Sequence, residues 1–87
     1  MLTIQQIDFK IQELLRNIID ETSPEARINR GVIDSLYWLK NNNDLRTEEQ
    51  VKLKIKRYEE ELLGLNAEDV HYREKKARIK ELQNAIS

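Results

Sequence analysis

Eighty-seven residues, 39% apolar and 36% charged, suit one domain with a modest core: too apolar for a disordered chain, too charged for a deeply buried globule. Two glycines and one proline leave too few turn residues for a many-stranded sheet. Fifteen basic against sixteen acidic residues, net charge -1, exclude the overall excess that marks many nucleic-acid binders, so any basic patch is local.

Ile4, Ile7, Ile11, Leu14 and Ile18 recur at spacings of three and four, which places them along one side of a first helix over about 3–20. Thr3 is its N-cap. Leu15 widens the stripe, and Phe9 and Ile19 lie off it as a second, weaker apolar strip. Gln5, Gln6, Asp8, Lys10, Gln12 and Glu13 interrupt this stretch, unlike the unbroken apolar centre of a signal peptide. No run reaches the roughly 18 apolar residues of a membrane span. With no cysteine, disulfides, thiolate nucleophiles and Cys-based zinc sites drop out together, and a cytoplasmic protein is expected.

Ser23, Pro24 and Glu25 start a second helix, about 24–41. They supply a capping hydroxyl, a proline whose missing N–H costs nothing at the first position, and an acid at the positive helix end. Ile28, Val32, Leu36 and Leu39 form one apolar stripe and Ala26, Ile33 and Tyr37 another, leaving a narrow polar strip on which Arg30 can pair with Asp34. A helix apolar over most of its circumference belongs at the centre of its assembly. Asn41 to Asp44 ends it, since Asn tolerates the left-handed conformation.

Thr47 and Gln50 read as a capping box for a third helix over about 48–63, with Val51, Ile55, Tyr58 and Leu62 on one stripe. Gly64 stands where that helix could close in a left-handed cap, and Asn66, Glu68 and Asp69 look like a fresh start for a fourth helix over about 67–86. Its apolar positions Tyr72, Ile79, Leu82 and Ile86 are sparse, with Lys75 or Lys76 where a strong seam would have a hydrophobe. The alternative is one continuous helix, because a helical glycine costs only about 1 kcal/mol and a heptad phase persists through Leu65 to Tyr72.

The residues offer little chemistry. His71 is the only histidine, so no paired imidazole site can form within the chain, and no metal is expected. Thr3, Thr22, Ser23 and Thr47 serve as caps or turn residues with no base and orienter beside them. Gly31 and Gly64 cannot make a phosphate-cradling loop. Neither catalysis nor a cofactor is expected, and Glu48 with Lys52 or Asp69 with Arg73 read as surface pairs one turn apart.

Trp38 is the distinctive side chain. It lies at the edge of the polar strip of the second helix, seven residues after Gly31, whose flat notch could receive the indole or another helix. It is either packed within the fold or, with Arg27 and Arg30 nearby, a candidate anchor for a protein partner, partly exposed in the isolated protomer. If the last two helices fold back at Gly64, Lys52, Lys54, Lys56 and Arg57 come level with Arg73, Lys75, Lys76, Arg78 and Lys80. Glu59, Glu60 and Glu61 come level with Glu68 and Asp69. Like then meets like, giving an acidic tip and a basic stem. Three acids near the negative end of the third helix are also unfavourable.

An all-α fold is therefore expected: a small four-helix assembly of two helical hairpins, the C-terminal one coiled-coil-like, self-associating as a dimer in its simplest closed form. Short, charged, helical and free of cysteine, the chain resembles in general character the small accessory proteins of bacteriophages and other mobile elements. The expected function is non-catalytic binding to a larger protein machine, as an adaptor, assembly factor or inhibitor. Trp38, Arg27 and Arg30 and the acids Glu59, Glu60, Glu61, Glu68 and Asp69 are the candidate protein contacts. The alternative is a nucleic-acid accessory using the basic stem, Lys52 to Arg57 and Arg73 to Lys80, against phosphates.

Overall fold

The computed structural model describes residues 1–41 and 44–87. The chain forms four helices, α1 (Ile4–Asn17), α2 (Pro24–Leu39), α3 (Glu48–Leu62) and α4 (Val70–Ile86), with β1 (Lys40–Asn41) and β2 (Asp44–Leu45) between α2 and α3. The all-α assembly is the one expected. The two short strands pair antiparallel, Lys40 with Leu45 and Asn41 with Asp44. They are the reason α2 stops at Leu39 rather than continuing to 41. Left-handed conformations expected at Asn42 and Asn43 lie outside the described residues.

The caps follow the sequence closely. The Thr3 hydroxyl accepts the Gln6 N–H while the Gln6 side chain accepts the Thr3 N–H, and Thr47 and Gln50 repeat the exchange at α3. Each such exchange satisfies two donors that a helix start would otherwise leave open. Ser23 accepts the Ala26 N–H with Pro24 in the first turn of α2. α1 ends at Asn17, three residues before the expected limit, because the chain beyond it turns on Asp20. The Asp20 carboxylate accepts from the Thr22 hydroxyl and N–H, and the Ser23 hydroxyl donates to the Asp20 carbonyl. Those Thr22 hydrogen bonds hold the Asp20 pKa below its ordinary carboxyl value. The support they lend the turn is therefore present above the usual carboxylate range and is lost as pH falls through the lowered value.

α3 and α4 are separate, but Gly64 does not separate them through a left-handed cap: its backbone lies outside that region and a Cβ there would meet only the Glu61 carbonyl at 3.9 Å. Instead the end of α3 tightens. Leu63, Gly64 and Leu65 donate to carbonyls three residues back, at 3.2, 3.3 and 3.0 Å, the short-range bonding by which helix ends satisfy their last carbonyls. α4 starts at Val70 rather than 67 because Asn66 is used in a turn, accepting the Glu68 N–H. Asp69 then caps the helix through the His71 N–H, and its carboxylate is occupied there rather than in the expected pair with Arg73.

The hairpin α1/α2 is antiparallel, Lys40 reaching Asp8 at 2.7 Å, and so is α3/α4, where Lys75 meets Glu61 at 2.9 Å. The hairpins join along α2 and α4, the most extensive helix pair. These two run parallel, Gly31 lying against Glu74 and Asp34 against Arg78. The result is flat, 34 × 31 × 20 Å, close to two helix diameters thick. α2 is the most buried element, as its all-round apolar pattern predicts, contributing Val32, Ile33, Leu36 and Leu39. They meet Ile7 and Ile11 of α1, Val51, Ile55 and Tyr58 of α3 and Ile79, Leu82 and Ala85 of α4 in one hydrophobic cluster. Phe9 and Ile19 remain exposed, off the buried stripe.

Gly31 lets α2 and α4 approach closely. A Cβ on Gly31 would fall 2.5 Å from Glu74 Cγ, so the notch expected beside Trp38 receives α4 and not the indole. Ser35, one turn on, is buried with a hydroxyl that finds no partner among the described residues. Arg30 does not pair with Asp34. It turns to Glu21 in the loop before α2, and Asp34 faces Arg78 of α4 at 3.7 Å.

Candidate functional site

Around the C-terminal end of α2 the strands fold the chain back so that Arg46 and the first turns of α3 meet Trp38. The Arg46 N–H donates to the Leu39 carbonyl at 3.0 Å and its Nε donates to the Trp38 carbonyl at 2.7 Å. Two bonds to neighbouring carbonyls fix the guanidinium over the indole, 4.6 Å from the ring centroid. Lys54, from the second turn of α3, brings its ammonium to 5.4 Å from the same ring and 5.2 Å from the Tyr58 ring. Each contact of this kind contributes about 0.5–1 kcal/mol at an exposed site, and together they orient the ring more than they stabilise the fold.

Trp38 is thereby half-buried and pinned. It borders a depression of about 220 Å³ shared with Arg46, Gln50, Leu53, Lys54 and Arg57. Leu53, 67% exposed, stands beside it. Among the described residues no carboxylate lies within ion-pair distance of Arg46, Lys54 or Arg57. A fixed aromatic with unneutralised cations around it is suited to an anionic group carrying an apolar neighbour.

Arg27 and Arg30 do not belong to this site. They stand eleven and eight residues before Trp38 on α2, roughly 16 and 12 Å away at 1.5 Å per residue. There they border a depression with Ser23, Pro24 and Val70. Arg27 approaches Glu74 at 3.9 Å and Arg30 binds Glu21.

The acidic tip and basic stem are also redistributed. The whole connection 63–69 separates α3 from α4, so the hairpin turns later than a bend centred on Gly64 would, and the register shifts. Tyr58 comes level with Arg78 and Glu61 with Lys75, so acid meets base at that point instead of like meeting like. Lys75 also extends over Tyr58, 5.6 Å from its centroid, which is how a lysine occupies a seam position. Glu59, Glu60 and Glu68 are exposed, and Asp69 serves as the cap of α4. Of the nine stem cations, Lys52 pairs with Glu48 at 3.3 Å, Lys54 lies on the aromatics, and Lys75 and Arg78 are engaged across helices. Lys76 and Lys80 border a groove between α3 and α4 that also holds Glu59, while Lys56, Arg57 and Arg73 point into solvent. The nine cations are thus divided among ion pairs, aromatic rings and solvent.

Arg78 is the most elaborately held cation. It donates to Glu74 at 3.1 and 2.7 Å and to the Tyr58 hydroxyl at 3.3 Å. Burial by itself would lower its pKa. The hydrogen bonds to Glu74 and Tyr58, with the attraction of those groups, outweigh that and raise it above the ordinary arginine value. Its role is to tie α4 to α2 and α3.

Arg46 and Glu74 are absent from the candidates that the sequence pattern offers, while Arg78, a candidate phosphate contact, is engaged within the fold. The sequence signal for Arg46 is the turn expected at Asn41 to Asp44, which returns the chain toward Trp38. Among the described residues, no three or more of His, Cys, Asp and Glu cluster so as to hold a metal ion. Among the described residues, no helix is long and apolar enough to cross a membrane. The chain matches no family model, no curated protein and no solved structure.

Proposed function

We propose that this chain is a non-catalytic protein-binding module, an adaptor, assembly factor or inhibitor, that docks an acidic segment of its partner on the Trp38 face. The observation that carries the reading is the half-exposed indole held in place by Arg46 and Lys54 at a depression without carboxylates. Tryptophan and arginine are the residues most enriched at interface hot spots, and a side chain already immobilised gives up little entropy when a partner covers it. Arg46 lies over one face of the ring, which leaves less of the indole on which a nucleobase could stack. Acids one turn away on α3, Glu49, Glu60 and Glu61, bound the cationic patch to a length suited to a short peptide.

Selection of a random peptide display library on the immobilised protein tests this. Acidic peptides with an apolar residue are expected to enrich, to change the emission of the single tryptophan, and to lose at least about tenfold in affinity against Lys54→Gln, one charge-assisted contact being worth about 1.5–3 kcal/mol. Peptides that bind Lys54→Gln and Trp38→Phe as tightly as the natural chain would overturn the site. DNA or RNA binding that weakens steeply with salt would replace it with phosphate recognition.

A further inference from the structure

The outward face of α3 has an arrangement that its own chain does not explain. Val51, Ile55 and Tyr58 turn inward, which leaves Leu53, Lys56, Arg57, Glu60 and Leu63 along the opposite side, all exposed. Leu53 is 67% and Leu63 88% exposed, one toward each end of the helix. Between them the charges are segregated, basic at Lys56 and Arg57, then acidic at Glu59 and Glu60. The last turn contains no basic residue, so the acids stand at the negative end of the helix dipole, where they are unfavourable. Among the described residues, Lys56, Arg57, Glu59 and Glu60 make no ion pair within the chain.

The pattern is self-complementary about Tyr58. We infer that a second copy of this chain docks on this face, with the two α3 helices antiparallel about a two-fold axis level with Tyr58. In that arrangement residue 53 comes level with residue 63 of the other copy and residue 56 with residue 60. Leu53 then covers Leu63, and Glu60 lies between the other copy's Lys56 and Arg57. Both sets of contacts occur twice, as an isologous interface requires. A parallel pairing would instead set acids on acids and bases on bases. Antiparallel pairing also brings cations to the acidic ends of both helices, offsetting the charge that opposes each dipole. The inference goes beyond the Trp38 reading and borders it at Leu53 and Arg57. It is tested by self-association of the chain alone, with no peptide present, whereas the Trp38 reading is tested by peptide binding, so that one can fail without the other.

Sedimentation equilibrium at low salt is the test, on three proteins: the natural chain, Lys56→Glu with Arg57→Glu, and Glu59→Lys with Glu60→Lys. The natural chain is expected to dimerise, each reversed protein to associate at least about tenfold more weakly, and an equimolar mixture of the two reversed proteins to recover association as a heterodimer. All four positions are exposed, and circular dichroism checks that the helices persist. Because the chain has no cysteine, orientation is read independently by mixing Leu53→Cys with Leu63→Cys. Disulfides between unlike chains should form faster than between like ones. A natural chain monomeric throughout, a dimer indifferent to both reversals, a mixture that does not recover, or faster cross-linking of like chains would each overturn the inference.

Discussion

Replacing Gly31 with alanine is expected to destabilise the protein by about 1–3 kcal/mol, the cost of forcing extra volume into a packed interior. The same change should become stabilising once Glu74 is alanine. The reversal follows from two opposing effects. In an isolated helix interior alanine is favoured over glycine by about 1 kcal/mol, yet the added Cβ would lie 2.5 Å from Glu74 Cγ and 2.8 Å from its Oε1. The near atom is the second carbon of the side chain, close to the backbone, so it cannot swing aside without moving the carboxylate that holds Arg78. Urea denaturation of the natural chain, both single variants and the double variant measures the sign. A cost for Gly31→Ala that is unchanged in the Glu74→Ala background would show that some other neighbour limits the space.

Arg78→Met is expected to cost about 1.5–3 kcal/mol, the range for hydrogen bonds to a charged group, and to lower Tm by roughly 4–8 °C per kcal/mol for a chain of this size. Methionine keeps much of the aliphatic length but none of the donors to Glu74 and Tyr58. Glu74, whose side chain is only 17% exposed, would then face α2 without its principal cation. An exposed lysine of the same helix gives the contrast: Lys80→Met should fall within about 0.5 kcal/mol of the natural chain. Equal losses for the two, measured by thermal denaturation, would deny Arg78 its tying role.

How far these features were legible in the sequence depends on their range along the chain. Thr3 with Gln6, Ser23 with Pro24 and Thr47 with Gln50 act within one helical turn, so residue types alone identify them. The central position of α2 followed from apolar residues on most of its circumference. The separation of α3 from α4 was also legible, but its means was not: tightened bonds at Leu63 to Leu65 and a cap at Asp69 do what a left-handed Gly64 was expected to do.

The register of the last hairpin was not legible, because it depends on how much of 63–69 the turn consumes. With it went the expected meeting of like charges. The approach of Arg46 to Trp38 is likewise set by the strand pair rather than by any periodic spacing, and the insertion of Glu74 against Gly31 depends on which helix packs on α2. Contacts between elements follow from topology, which local pattern constrains only weakly.

The central claim, an accessible indole in a cationic setting, is tested most directly by quenching the fluorescence of the single tryptophan with iodide and with caesium at equal ionic strength. Arg46, Lys54 and Arg57 should concentrate the anion and repel the cation, so iodide is predicted to quench Trp38 several-fold more efficiently than caesium, with the difference shrinking in Lys54→Gln. Equal quenching by both ions, or an indole that neither reaches, would contradict the account.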